Sequence, residues 1–480
     1  MAMVKRFFIL ITMLVCLKTA CAQQQAAIWY FGNHAGLDFS SGEPVALTDG
    51  ALNTFEGSAT IADENGSLLF YTDGVTVWNR LHQPMPNGRN LWGSYTTTQT
   101  LIVPKPGNDP IYYIFTASPQ FDYIFGPGTD SVGFHYSVVD MSVDGGLGDV
   151  TQKNILLFKN TTEKITAVHH ANGHDVWVVT HEWGNNNFRS YLVTENGIEP
   201  IPVISSIGEI HSGGGANNSN AIAYMKLSPD GNYIVSALWE KIIQIFTFNT
   251  NTGQVNSLKE SIVNVNNAGL HLYGIEFSSN SKFLYYPVSL QYCGVNDPDN
   301  QAEIWQYSFE NSKSTKVGSA IGAFNAMQLA PNGKIYITRC NEIIRESNFM
   351  AVINNPNRRG KDCNFQEKDV SLITGNNNIG LPNFIQSYFL FPDPVIDMPN
   401  IFTPNGDNYN PVFKPMQFEN MLEARLKIIN RWGQEVFTTT DISAGWDGGH
   451  APPGVYYWLL AYEGKNGKTG TAKGWVQLMR

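Results

Sequence analysis

Imidazole and carboxylate groups that could bind zinc are concentrated in one stretch of the sequence. They belong to His169, His170, His174, His181 and Glu182. His169 and His170 are adjacent, so on a strand their side chains would point to opposite faces. Asn172 and Gly173 indicate a turn between His170 and His174, and the H-E-x-x-H helix motif is absent. We therefore expect no metal site here, and polar positions of a β-sheet instead.

Two further loops match a ligand-binding pattern only in part. Residues 297–300 resemble the start of a calcium loop, but Ala302 and Ser308 stand where Gly and Glu are required. The glycine run of residues 211–215 does not lead from a strand into a helix, so it does not predict a phosphate site. No G-x-S-x-G nucleophile motif occurs. We expect no cofactor, and the sequence gives no catalytic, cofactor-binding or metal-binding residue to assign.

Four tryptophans near predicted strand ends or loops offer another route to ligand binding. They are Trp78, Trp92, Trp183 and Trp239. Exposed indole rings could stack on a sugar or a peptide, whereas buried ones would fill the space between sheets. Both interpretations stay open at this point.

The elements that must position these residues form a repeat through residues 57–390. Six times, a turn rich in Gly, Asn or Asp precedes an aromatic or β-branched strand, which predicts a hairpin at each place. The turn residues lie between 41 and 66 positions apart and are Gly66, Gly107, Gly173, Gly231, Ser281 and Gly333. Repeats of this length with about four strands each are typical of β-propeller blades. Strands near residues 28–31 and 37–39 would complete a seventh blade. We predict an all-β protein with a seven-bladed β-propeller; an array of β-sandwiches is the structural alternative.

Composition excludes some classes of function. The 480 residues carry a net charge of -10, which argues against nucleic-acid binding.

Residues 1–22 have the pattern of a signal peptide, with Lys5 and Arg6 before an apolar run and an A-x-A cleavage site. Acylation of Cys21 is the alternative to simple cleavage. No later segment is long and apolar enough to predict a transmembrane helix. Cys293, Cys340 and Cys363 would remain, so at most one intrachain disulfide is expected.

The repeat stops at a Pro-rich joint, residues 392–399, which divides a propeller at 23–391 from a smaller domain at 400–480. Short predicted strands at 425–429, 435–438, 455–461 and 471–478 suit a small immunoglobulin-like β-sandwich.

Two parts of the chain resemble known families. Residues 28–39, 57–61 and 70–74 resemble the propeller region of large exported proteins of the Bacteroidetes. Residues 401–407, 428–433, 445–448, 453–457 and 473–478 closely resemble the type B C-terminal sorting domain of type IX secretion cargo, also called the gliding-motility-associated C-terminal domain. Asn408 and Asn410-Pro411 depart from that family's pattern.

The second resemblance implies a partner, a destination and a set of motif residues. The partner is the type IX secretion machinery, and the protein would cross the periplasm to the outer surface or the medium. The implied motif residues are Phe402, Pro404, Asn405, Gly406, Asp407, Asn430, Arg431, Trp432, Gly433, Trp446, Asp447, Gly448, Gly454, Tyr456 and Gly474.

The function expected of the propeller is binding or adhesion, with a glycan or a protein as ligand. The alternative is an extracellular hydrolase or lyase that acts on glycans or peptides, with carboxylates from different blades around the central channel. A structural component of the gliding or envelope machinery is a third hypothesis.

Overall fold

The computed structural model describes residues 24–480, except for 95–99, 108, 120–132, 214–217, 240–241, 264–271, 290–300, 341–346 and 408. The chain divides into two compact units, Met1–Leu390 (unit 1) and Phe391–Arg480 (unit 2). The expected signal peptide, the calcium-like loop at 297–300 and Cys293 lie outside the described residues. In the part of the chain that is described, no helix has the length and apolar character needed to cross a membrane.

Unit 1 is built from antiparallel sheets, each made of consecutive strands. Sheet 1 contains β1 (Ile28–Phe31), β2 (Ala35–Asp38) and β3 (Val45–Leu47). Sheet 2 contains β4 (Ala59–Ala62), β5 (Leu68–Thr72) and β6 (Val77–Asn79). Sheet 3 contains β7 (Thr100–Pro104), β8 (Ile111–Ala117), β9 (Phe134–Asp140) and β10 (Asp149–Phe158). Sheet 4 contains β11 (Thr161–His169), β12 (Val176–Glu182), β13 (Asn187–Thr194), β14 (Gly197–Ile198) and β15 (Val203–Ser206).

The remaining sheets of unit 1 have four strands each. Sheet 5 contains β16 (Met225–Leu227), β17 (Tyr233–Leu238), β18 (Ile242–Asn249) and β19 (Gln254–Val263). Sheet 6 contains β20 (Glu276–Phe277), β21 (Phe283–Val288), β22 (Gln301–Ser308) and β23 (Lys313–Ile321). Sheet 7 contains β24 (Ala323–Leu329), β25 (Ile335–Cys340), β26 (Phe349–Ile353) and β27 (Phe365–Ser371). Short 3₁₀ turns occur at Asp144–Gly146, Ser219–Ala221, Gly360–Cys363 and Gln386–Phe389.

The six hairpins expected from the sequence are confirmed. Each predicted turn joins the first strand of a sheet to its second, from β4–β5 in sheet 2 to β24–β25 in sheet 7. The backbone φ is positive at all six turn residues, which explains why five of them are glycine. The exception is Ser281 at φ 56°, whose hydroxyl accepts the Asp230 N–H at 3.2 Å from the preceding repeat's turn.

The sheets follow one another around a closed, propeller-like ring. First strands of neighbouring sheets contact each other, as β1 and β4, β4 and β7, β11 and β16, and β20 and β24 do. Sheet 7 then packs on sheet 1, since the Tyr336 ring lies 5.2 Å from Phe39 and 5.7 Å from Trp29, between centroids. An ion pair of 3.0 Å between Lys334 and Glu43 crosses the same seam.

After sheet 7 the chain returns through the middle of the ring. We call residues 376–389 the central segment. Its Ile379 carbonyl accepts the Ala326 N–H of sheet 7 at 3.1 Å, and its Asn383 side chain donates to the Ile165 carbonyl of sheet 4 at 3.1 Å. It also forms a parallel bridge to Ser58 beside sheet 2. The segment therefore ties together sheets on opposite sides of the ring.

Unit 2 has two sheets around its own apolar core. Its strands are β28 (Val395–Asp397), β29 (Ile401–Phe402), β30 (Gln417–Glu419), β31 (Met421–Ile429), β32 (Glu435–Thr439), β33 (Gly454–Gly464) and β34 (Thr469–Leu478). Strands β28 and β30 form sheet 8, and sheet 9 has the order β29-β34-β33-β31-β32. The β29–β34 pair is parallel and the other pairs are antiparallel. The four strands expected here are confirmed, and all four are longer than expected, β32 by a single residue.

Candidate functional site

The histidines singled out in the sequence do not converge on one point. The Nδ1 atom of His169 lies 2.7 Å from the Ser387 hydroxyl in the central segment, and the Nε2 atom of His170 lies 3.2 Å from the Asn251 carbonyl. His174 is exposed. Glu182 forms a 2.5 Å ion pair with Arg189. Within the described ranges, no three His, Cys, Asp or Glu residues are arranged to hold a metal ion.

His181 has a partner that sequence reasoning did not find. Its ring stacks on the His211 ring with centroids 3.5 Å apart, and both residues are buried. Burial lowers the pKa of His181 to about 3, so its imidazole stays neutral at physiological pH. Parallel rings this close cannot direct in-plane nitrogen lone pairs at one metal ion. The two histidines therefore pack against each other and do not bind a metal together. Of the nearby glycine run, Gly214 and Gly215 lie outside the described residues.

A group of buried titratable residues lies near the first strands of the sheets, and none was predicted to be there. Burial raises the pKa of Glu56 well above its usual value, and the nearby Glu163 carboxylate raises it further. Burial, followed by the charge of Glu56, raises the pKa of Tyr273 in turn. The Tyr224 and Tyr273 rings meet edge to face at 5.4 Å. Because these residues lie at least 49 positions apart in the sequence, no local motif could predict them.

Two buried lysines in this region have structural partners. The Lys164 ammonium donates to the carbonyls of Ala221 and Ala223 at 3.2 Å each, and to that of Ile222. Three carbonyl acceptors match the three N–H donors of an ammonium group. Lys164 thereby fastens sheet 4 to the segment that leads into sheet 5.

Lys226 forms the second arrangement, an ion pair of 3.2 Å with Glu276 in which both side chains are fully buried. The Lys226 ammonium also donates to the Gln328 side chain at 2.5 Å. Glu276 accepts the backbone N–H groups of Phe277 at 2.8 Å and Leu329 at 3.1 Å. The pair therefore connects the first strands of sheets 5, 6 and 7 with its polar atoms satisfied, an arrangement suited to structure rather than to substrate turnover.

None of the four candidate tryptophans presents a fully exposed ring. Trp239 is buried and meets Tyr273 edge to face at 5.4 Å. Trp78 is half-buried and stacks on Tyr71 at 5.5 Å. Trp92 and Trp183 are also half-buried. Trp239 and Trp78 therefore pack against neighbouring rings, as the packing interpretation expects.

The seam between sheets 7 and 1 carries a polar cleft of 670 Å³, which we call the seam cleft. Its polar lining includes Glu43, Lys334, Asn354, Asn364, Gln366 and Asp369. Carboxamide groups supply both donors and acceptors of hydrogen bonds, which suits a ligand rich in hydroxyl groups.

Cys363 lies buried on the 3₁₀ turn after β26 and carries a free thiol. Burial raises its pKa to about 11, so the thiol is not a reactive thiolate at physiological pH.

In unit 2, three motif residues that are far apart in sequence form the core. The Trp446 ring lies 5.2 Å from Phe402 and 5.0 Å from Tyr456, between centroids, and all three side chains are buried. The Tyr456 hydroxyl donates to the Pro452 carbonyl at 2.7 Å, which fixes the start of β33. These motif residues therefore determine how the unit folds.

Other motif residues build turns on the surface. The Asn405 amide donates to the Asp407 carboxylate at 2.8 Å, and Asp407 accepts the Tyr409 N–H at 2.8 Å. Gly406 in this turn has φ 88°, and Pro404 beside it is half-buried. Asn408, one departure from the family pattern, is outside the described residues.

The β31–β32 turn contains a further four motif residues. The Asn430 side-chain oxygen accepts the N–H groups of Trp432 at 2.9 Å and Gln434 at 3.0 Å. Gly433 adopts φ 79°, a conformation that side chains disfavour. Trp432 is 75% exposed, and the Arg431 guanidinium lies 5.1 Å above its ring. This turn displays an aromatic–cation pair to the solvent.

The remaining motif residues are acidic or glycine. Asp447 accepts the Gly449 N–H at 2.9 Å, while Gly448 has φ 84° and Gly454 begins β33. Gly474 of β34 lies directly beneath the Trp458 indole, where an added Cβ would come within 2.7 Å of the ring. Glycine is required there because the ring occupies the space of a side chain.

Comparison with known proteins identifies one part of the chain. Residues 396–478 match the family described as the CHU_C type IX secretion signal domain. No curated protein matches the chain significantly. The β-propeller domain of Cps50 (Swd1) from Myceliophteria thermophila is 11% identical, with 66% of this chain and 94% of that chain covered at a TM-score of 0.39. The extracellular domain of BT4673 from B. thetaiotaomicron is 12% identical, with 94% of this chain and 56% of that chain covered at a TM-score of 0.35.

The matched residues lie within unit 2 and include all of the motif residues described above. The secretion machinery is therefore a partner of this protein. Residues 396–478 are a type IX secretion signal domain, and the protein that carries them is exported to the cell surface or secreted.

Proposed function

We propose that unit 1 is a binding or adhesion module, and that unit 2 delivers it across the outer membrane. The match of residues 396–478 to a secretion signal domain is the observation that carries the delivery role. Unit 2 has an apolar core of its own, around Phe402, Trp446 and Tyr456. Because unit 2 folds around its own core, the secretion machinery can recognise it without contacting unit 1.

We further infer that the seven successive sheets of unit 1 are seven blades, and that unit 2 is an immunoglobulin-like sandwich. The succession of seven sheets, with sheet 7 packed on sheet 1, supports the first inference. The Tyr456–Pro452 hydrogen bond supports the second, because it resembles the tyrosine corner of immunoglobulin-like domains. The domain limits proposed are a signal peptide at 1–22, a propeller at 23–391, a joint at 392–399 and a sorting domain at 400–480.

The ligand of unit 1 is proposed to bind at the periphery of the ring. The central segment occupies the middle of the ring, and the buried ion pair of Lys226 and Glu276 has its polar atoms satisfied. The seam cleft, in contrast, is open and lined by amide and carboxylate groups. Hydroxyl-rich glycans are the ligand class that this lining fits.

A binding screen of the secreted full-length protein against glycans and polysaccharides tests this proposal, with product analysis to detect turnover. We expect binding without released product. Asn354→Ala combined with Gln366→Ala should abolish binding, whereas Asn196→Ala, which removes an exposed amide from the β13–β14 turn, should not. Release of a shortened glycan would favour the hydrolase or lyase alternative, and binding unaffected by the cleft variants would exclude the seam cleft.

A further inference from the structure

A folded secretion signal can be recognised only through side chains that reach its surface. In unit 2 the motif residues Phe402, Trp446 and Tyr456 are buried, so they shape the domain but cannot contact another protein. Recognition therefore has to use other groups, either exposed motif residues such as Trp432 or side chains that the buried motif residues support from beneath. The side of sheet 9 turned away from the core supplies such groups.

Strands β33 and β34 alternate between the core and this opposite side. Four of their outward positions display large apolar side chains, namely Val455, Tyr457, Leu459 and Trp475. A soluble domain ordinarily keeps such a cluster away from water. We call this surface the outer face, and define it by Lys427, Val455, Tyr457, Leu459, Lys473 and Trp475. Tyr457 and Trp475 are each 49% exposed and lie directly opposite each other in the β33–β34 register. Two neighbouring aromatic side chains thus form the middle of a broad exposed surface.

Positive charge borders the aromatic pair. Leu459 lies opposite Lys427 on one side and opposite Lys473 on the other, and Arg425 comes in the next row, opposite Ala461. Lys427 is paired with Glu435 at 2.8 Å, and the row beyond Arg425 holds Glu423 opposite Glu463. The positive charge nearest the aromatic pair therefore comes from Lys473 and Arg425. An apolar centre with a cationic border is complementary to a partner with an apolar centre and carboxylates around it.

The exposed turn of the motif lies at the same end of the sheet as the aromatic pair. Ile429 is opposite Tyr457 and is the last residue of β31, so the turn with Arg431 and Trp432 follows it directly. The aromatic groups of sheet 9 that are exposed to solvent are therefore gathered toward one end.

We propose that the outer face is the surface through which the type IX secretion machinery recognises this domain, by means of an apolar surface bordered by carboxylates. This inference rests on the export role of unit 2 and is independent of what unit 1 binds.

Export of the full-length protein in a type IX-competent host tests the proposal. Tyr457→Thr combined with Trp475→Thr keeps β-branched residues on the strands but removes both rings. We expect the fraction on the surface and in the medium to fall at least about tenfold, the factor that about 1.4 kcal/mol of lost binding energy produces. The matched control is Met416→Thr with Leu422→Thr, which changes apolar residues of unit 2 that are 65% and 53% exposed but lie off the outer face. This control should be exported normally.

The charge complementarity has its own test. Lys473→Glu should reduce export, whereas Lys473→Arg should preserve it. Thermal unfolding of each purified protein establishes that the variants are folded. Normal export of a folded Tyr457→Thr/Trp475→Thr variant would overturn the proposal, as would an equal loss of export in the Met416→Thr/Leu422→Thr control. Normal export of Lys473→Glu would overturn the assignment of a carboxylate border.

Two further outcomes distinguish recognition through the outer face from dimerisation through it and from the export role of unit 2 as a whole. A purified dimer that dissociates in the double aromatic variant, with export unchanged, would show that a second copy covers the outer face. Deletion of residues 391–480 tests export by unit 2 itself, and we expect the truncated chain to stay in the periplasm. If the truncated chain is retained while the folded aromatic variant is exported, the signal role stands and the outer-face proposal fails.

Discussion

The indole of Trp29 in β1 packs edge-on against the ring of Tyr336 in β25, with centroids 5.7 Å apart. These two residues come from the first and the last sheet of unit 1, more than about 300 positions apart in the chain. Trp29 is fully buried and also lies 5.9 Å from Phe384 of the central segment. One side chain therefore connects the beginning of the ring, its end and the segment through its middle.

Replacement of Trp29 with alanine should destabilise the whole ring. A Trp-to-Ala change in a packed core costs about 3–5 kcal/mol, because it removes apolar contacts and leaves a cavity. Urea unfolding of the full-length protein would measure the loss. Leu81→Ala is the control, since Leu81 is a large apolar residue with an exposed side chain. The free energy of unfolding of this variant should stay close to that of the wild type. Equal stability of the two variants would contradict a closed ring sealed at Trp29.

The buried pair of Lys226 and Glu276 should show strong coupling. Lys226→Met removes the cation and leaves the Glu276 carboxylate buried alone, at a cost of about 3–5 kcal/mol. Adding Glu276→Leu removes the unpaired charge, so the double variant should regain much of the stability lost by the single one. Chemical denaturation of both variants and the wild type provides the comparison. A double variant no more stable than Lys226→Met would show that the ion pair does not hold these strands together.

Acid should destabilise the protein in part through His181. The pKa of this buried imidazole is lowered to about 3 by burial, whereas an unfolded chain binds the proton near pH 6.5. Below about pH 6.5 the unfolded state therefore takes up a proton that the folded state refuses, and stability falls as the pH falls. Above about pH 6.5 neutral His181 makes its full contribution to the free energy of unfolding.

The variant His181→Gln isolates this effect, because the carboxylates titrate in both proteins. Between about pH 6 and about pH 5, the wild type should lose stability more steeply than the variant, by about 1.4 kcal/mol per pH unit. Urea unfolding at a series of pH values measures both slopes. Parallel curves for the two proteins would contradict a neutral, buried His181.

Gly474 should tolerate no side chain. A valine there would place its Cβ 2.7 Å from the Trp458 indole, forcing the ring or the strand to move. Overpacking of this kind costs about 1–3 kcal/mol. Thr471→Val is the control, because Thr471 is exposed on the same strand. Thermal unfolding of the full-length proteins should show a lowered transition for Gly474→Val only; an unchanged transition would mean that Trp458 packs differently.

Features set by local chemistry could be predicted from the sequence. The six repeat turns need a positive φ, and glycine marks five of them, so the hairpins of sheets 2 to 7 were recognisable. Ser281 was found only because the pattern around it matches the other repeats. In unit 2 the short strands were also recognisable, and they extend further because β33 and β34 continue their pairing to Glu463 and Thr469.

Features assembled over long distances could not be predicted. The central segment has no repeat pattern, and its bonds to Ile165 and Ala326 depend on where the ring places those residues. The stacking of His181 on His211 and the pairing of Lys226 with Glu276 have the same origin. The sequence showed that histidines were close along the chain, but their partners come from elsewhere.

The central segment also determines where the protein can be cut. Its last turn, Gln386–Phe389, ends immediately before unit 2 begins, and Ser387 within it is bonded to His169 of sheet 4. A protease that trimmed the chain before Phe389 would pull away a piece of the ring's interior as well as the signal. Maturation that sheds the signal and leaves an intact ring outside the cell must therefore cleave within the few residues that follow Phe389.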